Sequence, residues 1–437
     1  MKSKLFLILL TTSLFANTII IKNAQIFDGE HNKLIRNKDI LIKDELIVKI
    51  AKDIKKENNT IIIDAKNQVL IPGLIDAHIH LMVVDNFEDA IYKDDQSYIA
   101  ALATKAAERM LLRGFTTIRD AGGPVSGIKE AIDTKYVKGP RIFPSNAFIS
   151  QTSGHGDFST SKTYLSPYFI KIPDKSELYG WVKIADGVAE VQKAAREVLR
   201  SGASQLKVMI SGSVTGAHDP LDVQEYTYAE LKAIVDEAEK WGTYVMVHAY
   251  TDKSVRMAIK AGVKSIEHGL MLKPETLKLM KEKDIWLSTQ CFGFSKTAKE
   301  VGFAGTHAEA KYNQVKKNAV QVYKLAKKYN LKVAWGTDLF GAPEYLDAQS
   351  QEFISRAKYF SSFEVLRQAT GDNAKLLALS GKRSPYNKGT LGVIKKGAYA
   401  DLLIVKGNPL KDVTLLANPK KNILFILKGG EIYKNTL

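Results

Sequence analysis

Residues 69–81, VLIPGLIDAHIHL, decide how this chain is read. Ile71, Leu74 and Ile75 form an apolar run around a Pro-Gly break, which reads as a buried strand, and His78 and His80 stand at its end. Residues two apart on a strand project from the same face. One short segment therefore offers two imidazole nitrogens to a metal ion, at the ~2.0–2.1 Å that such coordination requires. A histidine pair on a strand is more often an ordinary packed or surface pair, so the pair needs company before it means anything.

Outward from this stretch, strand-like runs recur at 115–119, 141–148, 205–210, 243–247, 264–267, 285–289 and 332–335. Between them lie apolar stripes at helical spacing. These are Val188, Val191, Ala195, Val198 and Leu199; Leu231, Ile234, Val235, Ala238 and Trp241; and Tyr312, Val315, Ala319, Val322 and Tyr329. With 70–79 as the first strand, eight strands alternate with helices, which predicts an α/β chain folded as a (β/α)8 TIM-type barrel over 70–380. A doubly wound open sheet is the rival. The flanks differ: short β-type runs at 18–21, 39–42, 47–50 and 60–63, and again at 389–394, 400–405, 423–427 and 431–433, are separated by Gly, Asn and Lys clusters. They predict a small β-sandwich domain made by both chain ends, 17–69 and 381–437.

The first sixteen residues carry Lys2 and Lys4, then an apolar run to Phe15 and Ala16, with no acidic residue. This resembles a secretory signal peptide, too short to span a bilayer, and places the protein in a periplasm without membrane insertion after its removal. The single cysteine, Cys291, allows no internal disulfide and reads as a buried structural thiol. The 437 residues, 45% hydrophobic and 25% charged, exclude a disordered chain. Net charge is +16, and loss of Lys2 and Lys4 with the leader brings it to +14. The lysines are spread over helical segments such as 311–328 rather than gathered with aromatics, so nucleic acid is not an expected partner.

In a (β/α)8 barrel the reactive groups stand at the C-terminal ends of strands, where loops form an open mouth over a packed interior. His78 and His80 follow the first strand, His155 the third, Lys207 lies on the fourth, His248 ends the fifth, His268 the sixth and Asp338 the eighth. Each has an ordinary reading alone: capped core imidazoles, a helix N-cap for Asp338, a strand-edge lysine. Together they converge on one mouth and one metal centre. Lys207 sits among Leu206, Val208, Met209 and Ile210. A desolvated lysine loses its proton readily and becomes nucleophilic.

The set GLIDAHIH, TTIRDAGG, SQTSGHGD, QLKVMISG, VMVHAY, SIEHG and WGTD, in this order, resembles the amidohydrolase superfamily, and most closely its imidazolonepropionase-like branch with metal-dependent Xaa-Pro and Xaa-Lys/Arg dipeptidases. The resemblance spans nearly the whole mature chain, including GTLGVIKKGAYADLLIV at 389–405. It implies two divalent ions, zinc first, and carbon dioxide captured on Lys207 as a carbamate (N6-carboxylysine). His78, His80, Lys207 and Asp338 would hold one ion, and Lys207, His248 and His268 the other. It further implies that His155 touches the scissile carbonyl and that Tyr226 is a substrate tyrosine, with Tyr228 its rival. His218 has no family counterpart.

The expected function is therefore hydrolysis of an amide bond in a dipeptide or N-acyl amino acid by a metal-bridging hydroxide, with Asp338 as proton shuttle and His155 or Tyr226 at the oxyanion. A mononuclear imidazolonepropionase-like or deaminase-type hydrolase, leaving Lys207 uninvolved, is the enzymatic alternative. A periplasmic solute-binding protein is the alternative of another class. Glu225, Glu344 and Asp347 are carboxylates that could recognise a cationic substrate group. Arg119 reads as structural support, salt-bridged to Asp120 or to another barrel carboxylate. A homo-oligomer is compatible with all of these readings.

Overall fold

A computed structural model describes residues 18–93, 95–158, 173–216, 218–341 and 343–437. The expected leader at 1–16 lies outside them.

Ten parallel strands carry the larger part of the molecule. In chain order they are β1 (Leu74–Ile79), β2 (Phe115–Asp120), β3 (Arg141–Pro144), β4 (Phe148–Ser150), β5 (Val182–Ile184), β6 (Leu206–Met209), β7 (Val245–Thr251), β8 (Ser265–Met271), β9 (Trp286–Thr289) and β10 (Lys332–Trp335). β1, β2 and β3 form one ladder, and the others a second in the order β5-β4-β6-β7-β8-β9-β10. The three-stranded ladder meets the longer one at both of its margins. Past the end of β10, the Asp338 amide donates to the His78 carbonyl at 2.8 Å, and the Ser204 amide, ahead of β6, donates to the Pro144 carbonyl at 2.7 Å.

These strands are almost wholly buried, as expected when helices cover a parallel sheet. The three apolar stripes read from sequence fall on helices, Val188–Arg200, Tyr228–Trp241 and Glu309–Lys328, the last stripe's Tyr329 being the C-cap residue. Tyr228–Trp241 begins with a Thr227–Glu230 capping box and ends at Gly242 with φ +72°, so local chemistry fixes both its ends.

The structure corrects three strand expectations. The run at 70–79 breaks in two, because Pro72 has no amide hydrogen to continue a ladder and the chain changes partners at Gly73. The Gly73 amide donates to the Asp401 carbonyl at 2.8 Å and the Leu74 amide to the Gly114 carbonyl at 3.0 Å. Only glycine permits this crossing, since a Cβ there would lie 2.0 Å from Thr116 Oγ1. The run at 141–148 is likewise interrupted, by Asn146 in the left-handed region (φ +54°), whose side chain bonds Ser126 and Ser201. Residues 389–394 form a turn held by one bridge, Thr390 to Ala398, rather than a strand. β5 was not anticipated.

Both chain ends contribute to two further sheets. Leu46–Ala51, Asp39–Lys43, Thr18–Lys22 and Ile61–Asp64 make one; Glu431–Asn435, Ile423–Lys428, Leu402–Val405, Val69–Pro72 and Gln25–Ile26 make the other. A shared apolar cluster joins them, with Ile19, Ile21, Ile40 and Ile42 from one and Leu70, Leu402, Ile404 and Phe425 from the other. Cys291 is buried and unpaired, and its thiol is pushed well up by burial.

Candidate active site

The C-terminal ends of the parallel strands bring the expected ligands together. His78 closes β1 with His80 just past it, and Asp338 follows β10; one donor atom from each lies within 4.8 Å of the other two. His78 Nε2 is 3.2 Å and His80 Nε2 3.5 Å from Asp338 Oδ1. His268, on β8, places Nδ1 3.8 Å from Asp338 Oδ2 and its ring 5.3 Å from that of His78. His248, on the neighbouring β7, stands 4.6 Å from His268 ring to ring. His268 (φ +71°) and Asp338 (φ +54°) both occupy the left-handed region, where non-glycine residues are costly and concentrate at functional sites.

Lys207 on β6 is 1% exposed and makes no hydrogen bond or ion pair among the described residues. Burial depresses its ammonium to about 8, against the pull of Glu267 and Asp338. All four imidazoles feel its charge, so it belongs to the same cluster. Burial likewise lowers His80 and His268 to about 3 and His248 well below the usual imidazole range. Burial also disfavours a charged His78, but the Asp338 and Glu267 carboxylates beside it together raise its pKa. Burial would raise Asp338 too, yet the surrounding histidines hold it below the ordinary carboxylate range.

These residues suit a divalent cation. His78 Nε2 is buried, aimed at Asp338 and without an aligned hydrogen-bond partner. Imidazole nitrogens, those of His80, His248 and His268 held neutral by burial, beside an ionised carboxylate are the nitrogen and oxygen donors that first-row metals take.

The cluster is held from behind. His78 Nδ1 lies 2.7 Å from Glu267 Oε2, and Glu267 pairs with the Arg119 guanidinium at 2.8 Å, with all three side chains fully buried. Arg119 thus supports a barrel carboxylate, as read, but its partner is Glu267 rather than the neighbouring Asp120. Asp76 accepts from the amides of His78 and Thr337 and from the Thr337 hydroxyl and Gln349 amide. It ties the strand carrying His78 to the turn carrying Asp338. His80 Nδ1 faces the Gly122 carbonyl at 3.0 Å, and His268 Nδ1 faces Gln290 at 2.9 Å. Such contacts fix ring orientation and are half of any metal centre.

His155 packs its ring 4.3 Å from that of His248 and sets Nδ1 2.9 Å from Asp219 Oδ2. Lys311 lies 3.6 Å from the other Asp219 oxygen and donates to the carbonyls of Gly216 and Asp219. Tyr226 is not brought into the cluster: its hydroxyl donates to the Ala185 carbonyl at 3.1 Å and its ring joins the core. Tyr228 is exposed, under Lys260. Tyr250 stands at the site instead, stacked on His268 at 5.0 Å and 13°. Its spacing from His248 on one strand face was a legible signal. Glu225 is fully buried beneath the His155 amide, with burial raising its carboxyl to about 8. Asp347 is taken by Arg109 and Arg113. The Glu344 side chain lies outside the described residues, and His218 is exposed.

Parallel strands whose C-terminal ends gather histidines, a lysine and an aspartate are an α/β architecture with donors that could hold a metal ion. Residues 69–432 match the amidohydrolase family, and this chain belongs to that family. It is 30% identical over 428 residues to an ochratoxinase of Aspergillus niger, covering 93% of this chain and 84% of that one. Among solved structures, a prolidase complexed with N-methylphosphonate-L-proline shares 32% identity at a TM-score of 0.87, covering 96% of this chain and all of that one. A Xaa-Pro dipeptidase with bound methionine shares 27% at 0.82, with the same coverage. An imidazolonepropionase of Picrophilus torridus is 28% identical over 259 residues, 56% of this chain and 55% of its own.

Proposed function

We propose that this protein is an exported amidohydrolase that cleaves the amide bond of a dipeptide or N-acyl amino acid with water, releasing a carboxylic acid and an amine. The observation that carries the reading is the convergence of His78, His80, His248, His268, Lys207 and Asp338 at one end of the parallel strands. Likeness over 96% of the chain to a prolidase solved with a proline phosphonate supports a dipeptide-like substrate. The partial match to an imidazolonepropionase favours the mononuclear alternative less, since that reading leaves the buried Lys207 without a role.

We assign the site two divalent cations, zinc first: His78, His80 and Asp338 would hold one and His248 and His268 the other, and Lys207, as a carbamate, would contribute to both. When bound, they supply Lewis acidity and activation of water. Lys207, buried and lowered to about 8, gives up its proton more readily than an ordinary lysine, and the neutral amine so formed can add carbon dioxide, a further proton leaving to give a carbamate anion where cations would be held. Asp338 accepts the proton of the attacking water and delivers it to the leaving nitrogen. His155, oriented through Nδ1 by Asp219, presents Nε2 to the carbonyl oxygen. Tyr250 keeps His268 in plane.

The architecture proposed with this function is a (β/α)8 barrel over 70–380, supported by the hydrogen bonds at both margins of the three-stranded ladder. The flanks, 17–69 and 381–437, are proposed as a β-sandwich, supported by their common apolar cluster. The basic, apolar leader supports export to a periplasm, and no helix among the described residues is long and apolar enough to cross a membrane. Zinc-reconstituted protein given a dipeptide and N-acyl amino acid library should release free amine, and a chelator should abolish that release. Metal-loaded protein that turns over no amide would refute the reading.

A further inference from the structure

Three partly buried phenylalanines converge beside His80 from loops far apart in sequence. Phe87 follows β1, Phe158 follows β4, and Phe340 follows β10, two residues beyond Asp338. Phe87 stacks on Phe158 (5.3 Å, 17°), meets Phe340 edgewise (5.3 Å, 61°) and lies 5.5 Å from the His80 ring. Phe340 is itself 6.5 Å from His80. Behind them, Phe148 and Trp181 are fully buried and close the wall. Gly122 joins wall to ligand: its carbonyl faces His80 Nδ1, and a Cβ on it would lie 2.3 Å from the Phe148 ring.

Every one of these loops leaves the C-terminal end of a parallel strand, the end that carries the candidate metal ligands. Loops there ordinarily present polar side chains, so partly exposed aromatic rings in contact with a candidate ligand mark a binding surface. The carboxylates that sequence offered for a cationic group are engaged elsewhere. Arg109 and Arg113 take Asp347, Glu225 is buried under the His155 loop, and Asp219 faces His155 and Lys311.

We propose that Phe87, Phe158 and Phe340 form the subsite for an apolar or aromatic side chain of the substrate. The preferred amides then carry a phenylalanine-like or branched aliphatic group rather than a lysine or arginine. This rests on the amide-hydrolase reading above and specifies its substrate class. Apolar contact on such a wall discriminates by about tenfold or more.

The test compares kcat/KM of the metal-loaded enzyme on N-acetyl-L-phenylalanine against N-acetyl-L-lysine, and on Phe-Pro against Lys-Pro, so that both sides of the amide are varied. At least one pair should favour phenylalanine by about tenfold or more. Phe87→Ala should collapse that ratio and Phe87→Leu, which keeps an apolar contact, should retain most of it. Phe340→Ala provides the same reading should Phe87→Ala fold poorly. Preference for the lysine substrates, or a ratio unmoved in both alanine variants, overturns the proposal. Should no amide be hydrolysed, the underlying reading fails. The wall is then judged by calorimetric binding of N-acetyl-L-phenylalanine, which Phe87→Ala must weaken for the proposal to stand.

Discussion

Replacing Glu267 by Gln removes the carboxylate that pairs with Arg119 at 2.8 Å and faces His78 Nδ1 at 2.7 Å, in a place with no solvent access to either partner. Burial alone would raise the Glu267 carboxyl, but the Arg119 and His78 charges hold it below the ordinary carboxylate range. The folded protein therefore depends on that charge. An arginine left unpaired in the interior costs about 3–5 kcal/mol. At about 2.1 cal/mol/K of unfolding entropy per residue, this lowers the melting temperature of a chain this size by about 3–6 °C. His78 also loses its orienting partner, and such contacts are worth about 10- to 100-fold in metal affinity. Calorimetric melting of the metal-free protein and zinc titration with a competing chelator read the two effects separately. The double variant Arg119→Met, Glu267→Leu restores most of the stability, because no charge is left unpaired, but none of the zinc affinity. Glu267→Gln melting within about 1 °C of wild type, with equal zinc affinity, would refute the assignment of this carboxylate as the support of the centre.

Other consequences follow from the same geometry. Burial raises Glu225 to about 8, so the folded state holds a proton there that the unfolded state, with an ordinary carboxyl near 4.5, has lost. Its contribution is complete below about pH 4.5 and is lost as pH rises through about 8. Glu225→Gln should flatten that decline by up to about 1.4 kcal/mol per pH unit, as read in urea midpoints from pH 5 to 8.5; an unchanged slope would contradict it. Asp219→Asn should lower kcat by about tenfold or more while moving KM less, since it disorients His155, the group proposed to face the carbonyl oxygen. Steady-state kinetics decide, with zinc content checked to be normal. Tyr250→Leu should loosen the second ion without touching the first, visible as weakened binding of one zinc equivalent in calorimetry.

Much of this was legible in the sequence because the strands are read by period and their ends by residue type. The runs at 205–210 and 332–335 reappear as β6 and β10, and the histidines placed at strand ends do share one site. What escaped did so for physical reasons. β5 is three residues long and carries no period. The break at Gly73 depends on partners more than forty residues away, Asp401 and Gly114. Glu267 stood beside His268 in SIEHG and Arg119 in TTIRD, two charges in otherwise apolar strands, but nothing local says that they meet. Asp219 comes to His155 from a loop 64 residues on. Tyr226 was assigned from resemblance, and the Ala185 carbonyl holds its hydroxyl elsewhere.

The central claim is that Lys207 completes a two-metal centre, and metal content read by mass spectrometry against activity tests it most directly. Wild-type protein loaded with zinc and bicarbonate should carry two ions per chain and hydrolyse its amide substrate. Lys207→Ala should carry one or none and be inactive, with a short-chain carboxylic acid in the buffer restoring part of both. A Lys207→Ala protein that keeps two ions and full activity would contradict the account.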